Sequence, residues 1–226
     1  MAIIGVISPG EMGTGIARAA QDNFHEIIWA SEDRSEKTRA RADRYGFRDV
    51  GTLEAMALET KYILCVGVDY SHTDPHWSVD TLDRVGKAGF RGVYCDANTK
   101  PAERKRDLEM YAEAHGISYI DGAIFGNPPP QGKVVRGYIS DTDWSEDFAS
   151  IFGGPASTFR WIPIKGDPQY LKMVFSACIG AFNSVSTLAN RALEDPELSG
   201  HLINELQDGA FDFRTDGRQM GLFPGW

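Results

Sequence analysis

The sequence predicts an α/β protein: a doubly wound, mostly parallel sheet, then a long helix and a short all-α C-terminal region. Three observations predict it. The chain opens on a β-branched run, Ile3-Ile4-Gly5-Val6-Ile7, that enters a glycine turn and then an apolar-periodic helix. Strand-like and helix-like segments alternate up to about residue 164, the pattern of a parallel sheet covered by helices on both faces. Near Pro168 the pattern changes, and helical character runs from 170 to 193.

The turn reads Ser8-Pro9-Gly10-Glu11-Met12-Gly13. A strand, a tight turn and a helix in this order build a dinucleotide site. A glycine at 10 admits a pyrophosphate close to the backbone, and a glycine at 13 packs helix on strand. The helix N-terminus then offers free N–H groups and the positive end of its dipole. Ser8 stands where the first glycine of such a turn is expected. An ordinary β-turn-α connection is the plainer reading of the same residues.

The elements follow in order. Strand 3–7 leads to a helix over 13–22, and strand 26–30 to a charged helix over 35–45. A short edge element at 49–50 precedes a helix over 53–59. Strand 62–68 is apolar enough to be central, and Val66 and Gly67 near its end join the turn as candidate cofactor residues. A helix over 77–88, a strand over 92–96 and a helix over 101–115 come next, with Pro101 in the first turn and Gly116 as the stop. Strands at 118–120 and 134–140 complete the sheet. Ligands of such sheets bind at the carboxyl ends of the strands, where strand order reverses.

The helix over 170–193 is roughly 35 Å long at about 1.5 Å per residue. Its apolar residues, from Met173, Val174 and Phe175 to Phe182 and Val185, surround the axis. A helix apolar all round must be buried all round, and too few residues follow to bury it. This predicts a homodimer formed through that helix. An aromatic and glycine-rich segment, 211–226, ends the sequence.

An apolar fraction of 42% and a charged fraction of 24% are those of a soluble globular protein. A net charge of −9 argues against nucleic acid and anionic membrane as partners. The three cysteines, Cys65, Cys95 and Cys178, lie in apolar runs, as buried free thiols do. Their odd number and spacing fit no zinc pattern and suggest a reducing, cytoplasmic setting. The first residues read as a strand and not as a leader, and no apolar run reaches membrane-spanning length. In the loop 69–77, His72 and His76 are four residues apart, but Pro75 breaks any helix between them, so no metal is expected.

Gly5-Val6-Ile7-Ser8-Pro9-Gly10-Glu11-Met12-Gly13 resembles the β-hydroxyacid dehydrogenase superfamily, in particular its phosphogluconate-dehydrogenase-like branch, to which imine reductases are related. Residues 29–35, Asp96-Ala97-Asn98-Thr99, Asp121-Gly122-Ala123-Ile124-Phe125-Gly126 and Leu171-Lys172-Met173 resemble further segments of that family. The resemblance implies a Rossmann-type cofactor domain and places Asn98 on the nicotinamide side of the cofactor. It also implies that Gly122 and Phe125 belong to the substrate segment and that Lys172 is the catalytic lysine. Phe125 replaces the usual serine, Phe175 and Ser176 stand where an asparagine is usual, and the C-terminal helical region is about half the family's length.

Lys172 sits near a helix N-terminus among Tyr170, Leu171, Met173, Val174 and Phe175. The dipole and the apolar surroundings both lower a lysine's pKa, as proton transfer at a substrate oxygen or nitrogen requires. A lysine snorkelling to solvent is the alternative. Ser176 and Asn183 follow four and eleven residues later and either orient a substrate or bond across a helical interface. Asn98 either meets the nicotinamide carboxamide or ribose or caps the next helix. Asp121 is a catalytic candidate or a turn residue. After the second strand, Ser31 and Arg34 favour a 2′-phosphate and hence NADP, whereas Glu32 favours NAD.

These residues together give a Rossmann domain over 1–165 and a dimerisation and substrate region over 166–226. The expected function is an NAD(P)-dependent oxidoreductase, NADP preferred, acting on a small carbonyl, alcohol or imine with Lys172 as general acid/base. A noncatalytic dinucleotide-binding or sensor protein is the alternative, and a Rossmann protein that binds S-adenosylmethionine a more distant one.

Overall fold

A computed structural model describes residues 1–67, 77–128, 134–154 and 157–192, together with 197, 198, 200, 201 and 204. His72, His76 and the segment 211–226 lie outside the described residues. The chain divides into two compact units, Met1–Lys172 and Met173–Trp226.

The first unit is built on an eight-stranded sheet of order β3-β2-β1-β4-β5-β6-β7-β8. Its strands are β1 (Ile3–Ile7), β2 (Glu26–Trp29), β3 (Arg48–Asp49), β4 (Tyr62–Cys65), β5 (Val93–Asp96), β6 (Ser118–Phe125), β7 (Val135–Ser140) and β8 (Phe159–Ile164). The first six run parallel, in the order of a dinucleotide-binding domain, with the reversal between β1 and β4. The helices are α1 (Glu11–Asp22), α2 (Glu36–Arg44), α3 (Leu53–Glu59), α4 (Trp77–Lys87), α5 (Ala102–His115), α6 (Ser145–Phe152) and α7 (Pro168–Ala192).

Strand periodicity splits the core between the two faces. Ile4, Val6, Ile27, Trp29, Tyr62 and Leu64 face one side, where they join Ile16 and Ala17 of α1 and Phe148 and Phe152 of α6. The intervening Ile7, Ile28, Ile63 and Cys65 face the other and meet Met56 of α3, Leu82 of α4 and Leu108 of α5. Both faces of the central strands are thus covered, which is why these strands read as continuous apolar runs. The local signals act as their chemistry requires. Ser35 caps α2 by accepting from the amide of Thr38, and Gly116 ends α5 in the left-handed conformation at φ +66°. Pro101 is the N-cap of α5, one residue before the helix proper.

Strand β6 is longer than its sequence pattern predicts. Residues 118–121 pair parallel with β5, and residues 122–125 pair antiparallel with β7. Asp121 and Gly122 therefore lie inside a strand, at the change of partner, and not in a turn after it. Helix α6 and strand β8 are additions that the sequence reading did not assign.

In the second unit α7 carries exposed Met173, Val174, Phe175, Ile179 and Val185. Cys178 is exposed as well, whereas Cys65 and Cys95 are buried as expected. The exception has a simple cause, since Cys178 sits on a helix whose described side chains are mostly exposed. Among the described residues no helix is long and apolar enough to cross a membrane.

Gly137 of β7 tests the packing of the sheet's far edge. A Cβ there would lie 2.1 Å from Cζ3 and 2.3 Å from Cε3 of Trp161. That indole is buried against Phe148, Phe152 and Phe159. Gly137→Ala is expected to destabilise the protein by about 1–3 kcal/mol in chemical denaturation, as overpacking does.

Candidate functional site

The glycine turn after β1 has a shape that its sequence only partly announces. Ser8 adopts φ +59°, a left-handed conformation that costs a non-glycine residue about 1–2 kcal/mol. Its hydroxyl accepts a 2.6 Å hydrogen bond from Arg34 Nη1, a contact no glycine makes. Gly13 is closely packed, since a Cβ would sit 3.1 Å from the Ser8 carbonyl oxygen and 3.6 Å from Cβ of Val66. Gly10 is different. A Cβ there would meet nothing nearer than the Ser8 carbonyl at 3.9 Å, so this glycine leaves space and does not relieve a clash. Gly10 is also the N-cap of α1 and has no side chain to cap with. No side-chain cap therefore covers the first-turn amides of Glu11, Met12 and Gly13, which leaves them to water or a ligand. An uncapped helix start beside open backbone fits a pyrophosphate.

The residues after β2 divide their labour. The Ser31 side chain lies by Asp49 and helps hold that carboxyl below its ordinary value. The Glu32 carboxylate accepts from the Leu53 amide at 2.8 Å and pairs with Arg84 at 2.8 Å. Arg34 reaches back to Ser8 and lies 5.5 Å over the Trp77 ring. Arg41 of α2, which the sequence reading passed over, points its Nη1 at the Pro9 carbonyl and its Nη2 at Glu11. Two guanidinium groups thus flank the turn, while the candidate acid is engaged with Arg84 and Leu53.

Val66 and Gly67 follow β4, and the Gly67 amide donates to Oδ1 of Asn98 at 2.6 Å. The amide of Asn98 is occupied within the protein: its Nδ2 donates to Asp96 Oδ1 at 2.9 Å and approaches Cys65. Asn98 is a tie between the ends of β4 and β5, with little of it exposed. Burial pushes the Cys65 thiol up to about 12 and that of Cys95 well above its ordinary value, so neither is a nucleophile.

Beneath this tie lies a charged node. Lys100 Nζ, whose side chain is 1% exposed, sits 2.5 Å from Asp121 Oδ1 and 3.4 Å from Asp96 Oδ1. The second Asp121 oxygen is 3.4 Å from Lys105, which also pairs with Asp167 at 3.0 Å. Burial pushes the Asp96 carboxyl up. For Lys100, burial pulls the ammonium down, but the two carboxylates prevail and hold it above the ordinary lysine value. Gln169, in the first turn of α7, closes the node. Its Nε2 donates to Asp121 Oδ1, the Gly122 carbonyl and the Asn98 carbonyl, and its Oε1 accepts from the Lys100 amide. Asp121 is thus enclosed by cations and an amide. Gly122 is packed so closely that a Cβ would lie 3.3 Å from Cys95 Sγ.

Lys172, one helical turn after Gln169, donates from Nζ to the Ile124 carbonyl at 2.7 Å and lies 5.0 Å over the Phe125 ring. Phe125 is fixed edge-on against Tyr138, with ring centroids 5.1 Å apart. Half-burial in these surroundings pulls the Lys172 ammonium below its usual range. Ser176 and Asn183 belong to the second unit, where both are exposed on α7. Lys100 and Gln169 carry no sequence motif. A lysine in the turn after a central strand reads as solvated until the two aspartates are seen around it.

Lys100→Met leaves two carboxylates buried with one partly exposed cation. The expected loss is about 3–5 kcal/mol at neutral pH, measured by denaturant unfolding. The loss shrinks as pH falls, because burial makes the Asp96 carboxyl take up a proton in the folded state at a higher pH than in the unfolded chain.

Comparison with known families and with curated proteins finds no match. Solved structures do match. An imine reductase from Myxococcus stipitatus in complex with NADP+ has 19% identity and a TM-score of 0.70 over 91% of this chain and 71% of that one. A conserved protein of unknown function, described as structurally similar to 3-hydroxyacid dehydrogenases, has 20% identity and a TM-score of 0.65 over 91% and 75%. A reductive aminase from Aspergillus terreus, in complex with NADPH4, cyclohexanone and allyl amine, has 16% identity and a TM-score of 0.66 over 91% and 72%. The chain shares its fold with imine reductases and with a protein likened to 3-hydroxyacid dehydrogenases.

Proposed function

We propose that the protein is an NAD(P)-dependent oxidoreductase that interconverts a small carbonyl or imine and its reduced form. The observation that carries the reading is the glycine turn. Open backbone at Gly10 lies under an uncapped helix start, with Arg34 locked to Ser8 beside it. Gly10 and the amides of Glu11, Met12 and Gly13 would hold the pyrophosphate, with Pro9 shaping the turn. Arg34 and Arg41 would meet a 2′-phosphate, and Ser31 lies at the same strand end. Val66, Gly67 and Asn98 would line the nicotinamide end. A bound nicotinamide would supply or accept the hydride.

Lys172 would hold a proton at the substrate heteroatom. Its ammonium head is already directed by the Ile124 carbonyl, and Phe125 offers an apolar ring at its side. Gly122, Ser176 and Asn183 are the remaining substrate-side candidates. Asp121, enclosed by Lys100, Lys105 and Gln169, acts as an anchor in this reading and does not touch the substrate. The residues from 166 onward would form the dimerisation and substrate region. The exposed apolar side chains of α7 support a homodimer.

The engagement of Glu32 by Arg84 favours NADP over NAD. Arg34→Ala is expected to weaken NADPH binding by about ten- to a hundredfold, the worth of one charged hydrogen bond. NADH binding should change little. Titration of nicotinamide fluorescence measures both, and equal losses for the two cofactors would count against a 2′-phosphate contact.

Lys172→Ala should abolish reduction of cyclohexanone or of its imine with allyl amine while leaving NADPH affinity unchanged. In the native protein the reductive rate should fall as pH rises through the Lys172 pKa, which lies below the ordinary lysine value of 10.5. Below that pKa the proton donor is loaded. A pH–rate profile without this limb would remove Lys172 from the chemistry.

A further inference from the structure

The start of α7 is fastened to β6 by two rungs. In the first, Gln169 Nε2 donates to Asp121 Oδ1 at 3.0 Å and to the Gly122 carbonyl at 2.8 Å. In the second, Lys172 Nζ donates to the Ile124 carbonyl at 2.7 Å. Gln169 and Lys172 are three residues apart on the helix, so they share a face. Their partners also follow in order along β6, Asp121 and Gly122 for the first and Ile124 for the second. The first rung is fixed from below. Asp121 is held by Lys100, and Lys100 is held by Asp96 and reaches the Asp96 carbonyl at 3.1 Å. Gln169 also grips the Asn98 carbonyl and the Lys100 amide. The hydrogen bonds of this rung are buried, and that of the second rung is only partly buried.

We infer that Lys100, Asp121 and Gln169 form a positioning device whose task is to set the height and direction of the Lys172 ammonium over the Phe125 ring. The assignment rests on the reading of Lys172 as the proton-transfer group, and it gives three buried polar residues a role in that reading. A general acid must meet its heteroatom within hydrogen-bond reach. Lys172 has four rotatable side-chain bonds, and its helix begins only at Pro168. Without the first rung the helix start has no other buried polar tie to β6 among the described contacts. With it, the lysine arrives at one carbonyl oxygen. Charge explains why the device is ionic. Asp121 accepts from Lys100 and from Gln169 at the same oxygen, which a neutral carbonyl does less strongly.

The test separates position from stability and from activity. The lysines are methylated reductively with 13C-formaldehyde, and the Lys172 resonance, assigned with Lys172→Arg, is titrated by NMR. In the native protein its midpoint should lie below those of the exposed lysines. Gln169→Leu removes the rung and should move the Lys172 midpoint up toward the exposed lysines as the head swings into water. The reductive rate should fall roughly tenfold to a hundredfold, as a displacement of about 1 Å can produce. NADPH affinity should fall by much less than the rate, since Gln169 meets the residues proposed to hold the cofactor only through the Asn98 carbonyl. If Gln169→Leu does not fold, Asp121→Asn serves. It leaves Asp96 and Lys100 as a balanced pair, and the same upward movement is expected.

An unchanged Lys172 midpoint and rate in a folded variant would overturn the assignment. Turnover that survives Lys172→Ala would instead sink the proposed chemistry. The NMR titration would still report on the positioning, so the two failures are told apart.

Discussion

A lysine ammonium almost out of reach of water joins the end of β5 to the middle of β6, and most of what surrounds the site depends on it. The register of β5 and β6 sets Asp96 beside Asp121, and Lys100 lies against both carboxylates. Such a buried ionic cluster adds little net stability compared with apolar side chains of the same volume, because desolvation offsets the attraction. What it does provide is direction. A carboxylate fixed by a cation offers its oxygens at defined angles, and Asn98 and Gln169 each take one of them. Through Asn98 the order extends to the Gly67 amide at the end of β4, and through Gln169 to the first turn of α7. The carboxyl ends of β4 and β5, the middle of β6 and the start of α7 are thereby tied together without any covalent link.

The opposite end of the candidate cofactor site is organised by a different compromise. Ser8 takes a conformation suited to glycine, and the strain is offset by its bond to Arg34. The exchange gives the turn a fixed guanidinium that a glycine cannot anchor. Glu32 is drawn to the α3 and α4 side by the Leu53 amide and Arg84. Both movements leave the end of β2 more positive than its run of acidic and basic residues suggests.

Much of the first unit was legible in the sequence because its signals are local. The alternation of β-branched runs with helical periods predicts a mostly parallel sheet, and Ser35 and Gly116 mark helix ends by side-chain or backbone chemistry that needs no tertiary context. Helix α6 carried a pattern too, with Phe148, Ile151 and Phe152 at helical spacing, but it is only eight residues long and follows a run of polar turn residues. The true length of β6 was hidden because its second half gains a partner, β7, that pairs in the opposite direction. Of the candidate site, the turn residues and Lys172 stood out through motif and resemblance. Lys100, Arg41 and Gln169 did not, because their roles arise from contacts across 21, 32 and 71 residues of chain. Nothing in their immediate neighbours distinguishes them from ordinary surface residues.

The bonds of Gln169 also have a meaning for how the chain is made. Its partners Asn98 and Asp121 precede it by 71 and 48 residues, so they leave the ribosome well before the group that completes their hydrogen bonding. During synthesis Asp121 and the Gly122 carbonyl lack their last donor until residue 169 has emerged. The parallel sheet can be laid down early from the N-terminal side. The floor of the candidate active site is among the last parts of the first unit to be finished, and a nascent chain that stops short of α7 has a sheet without a closed site.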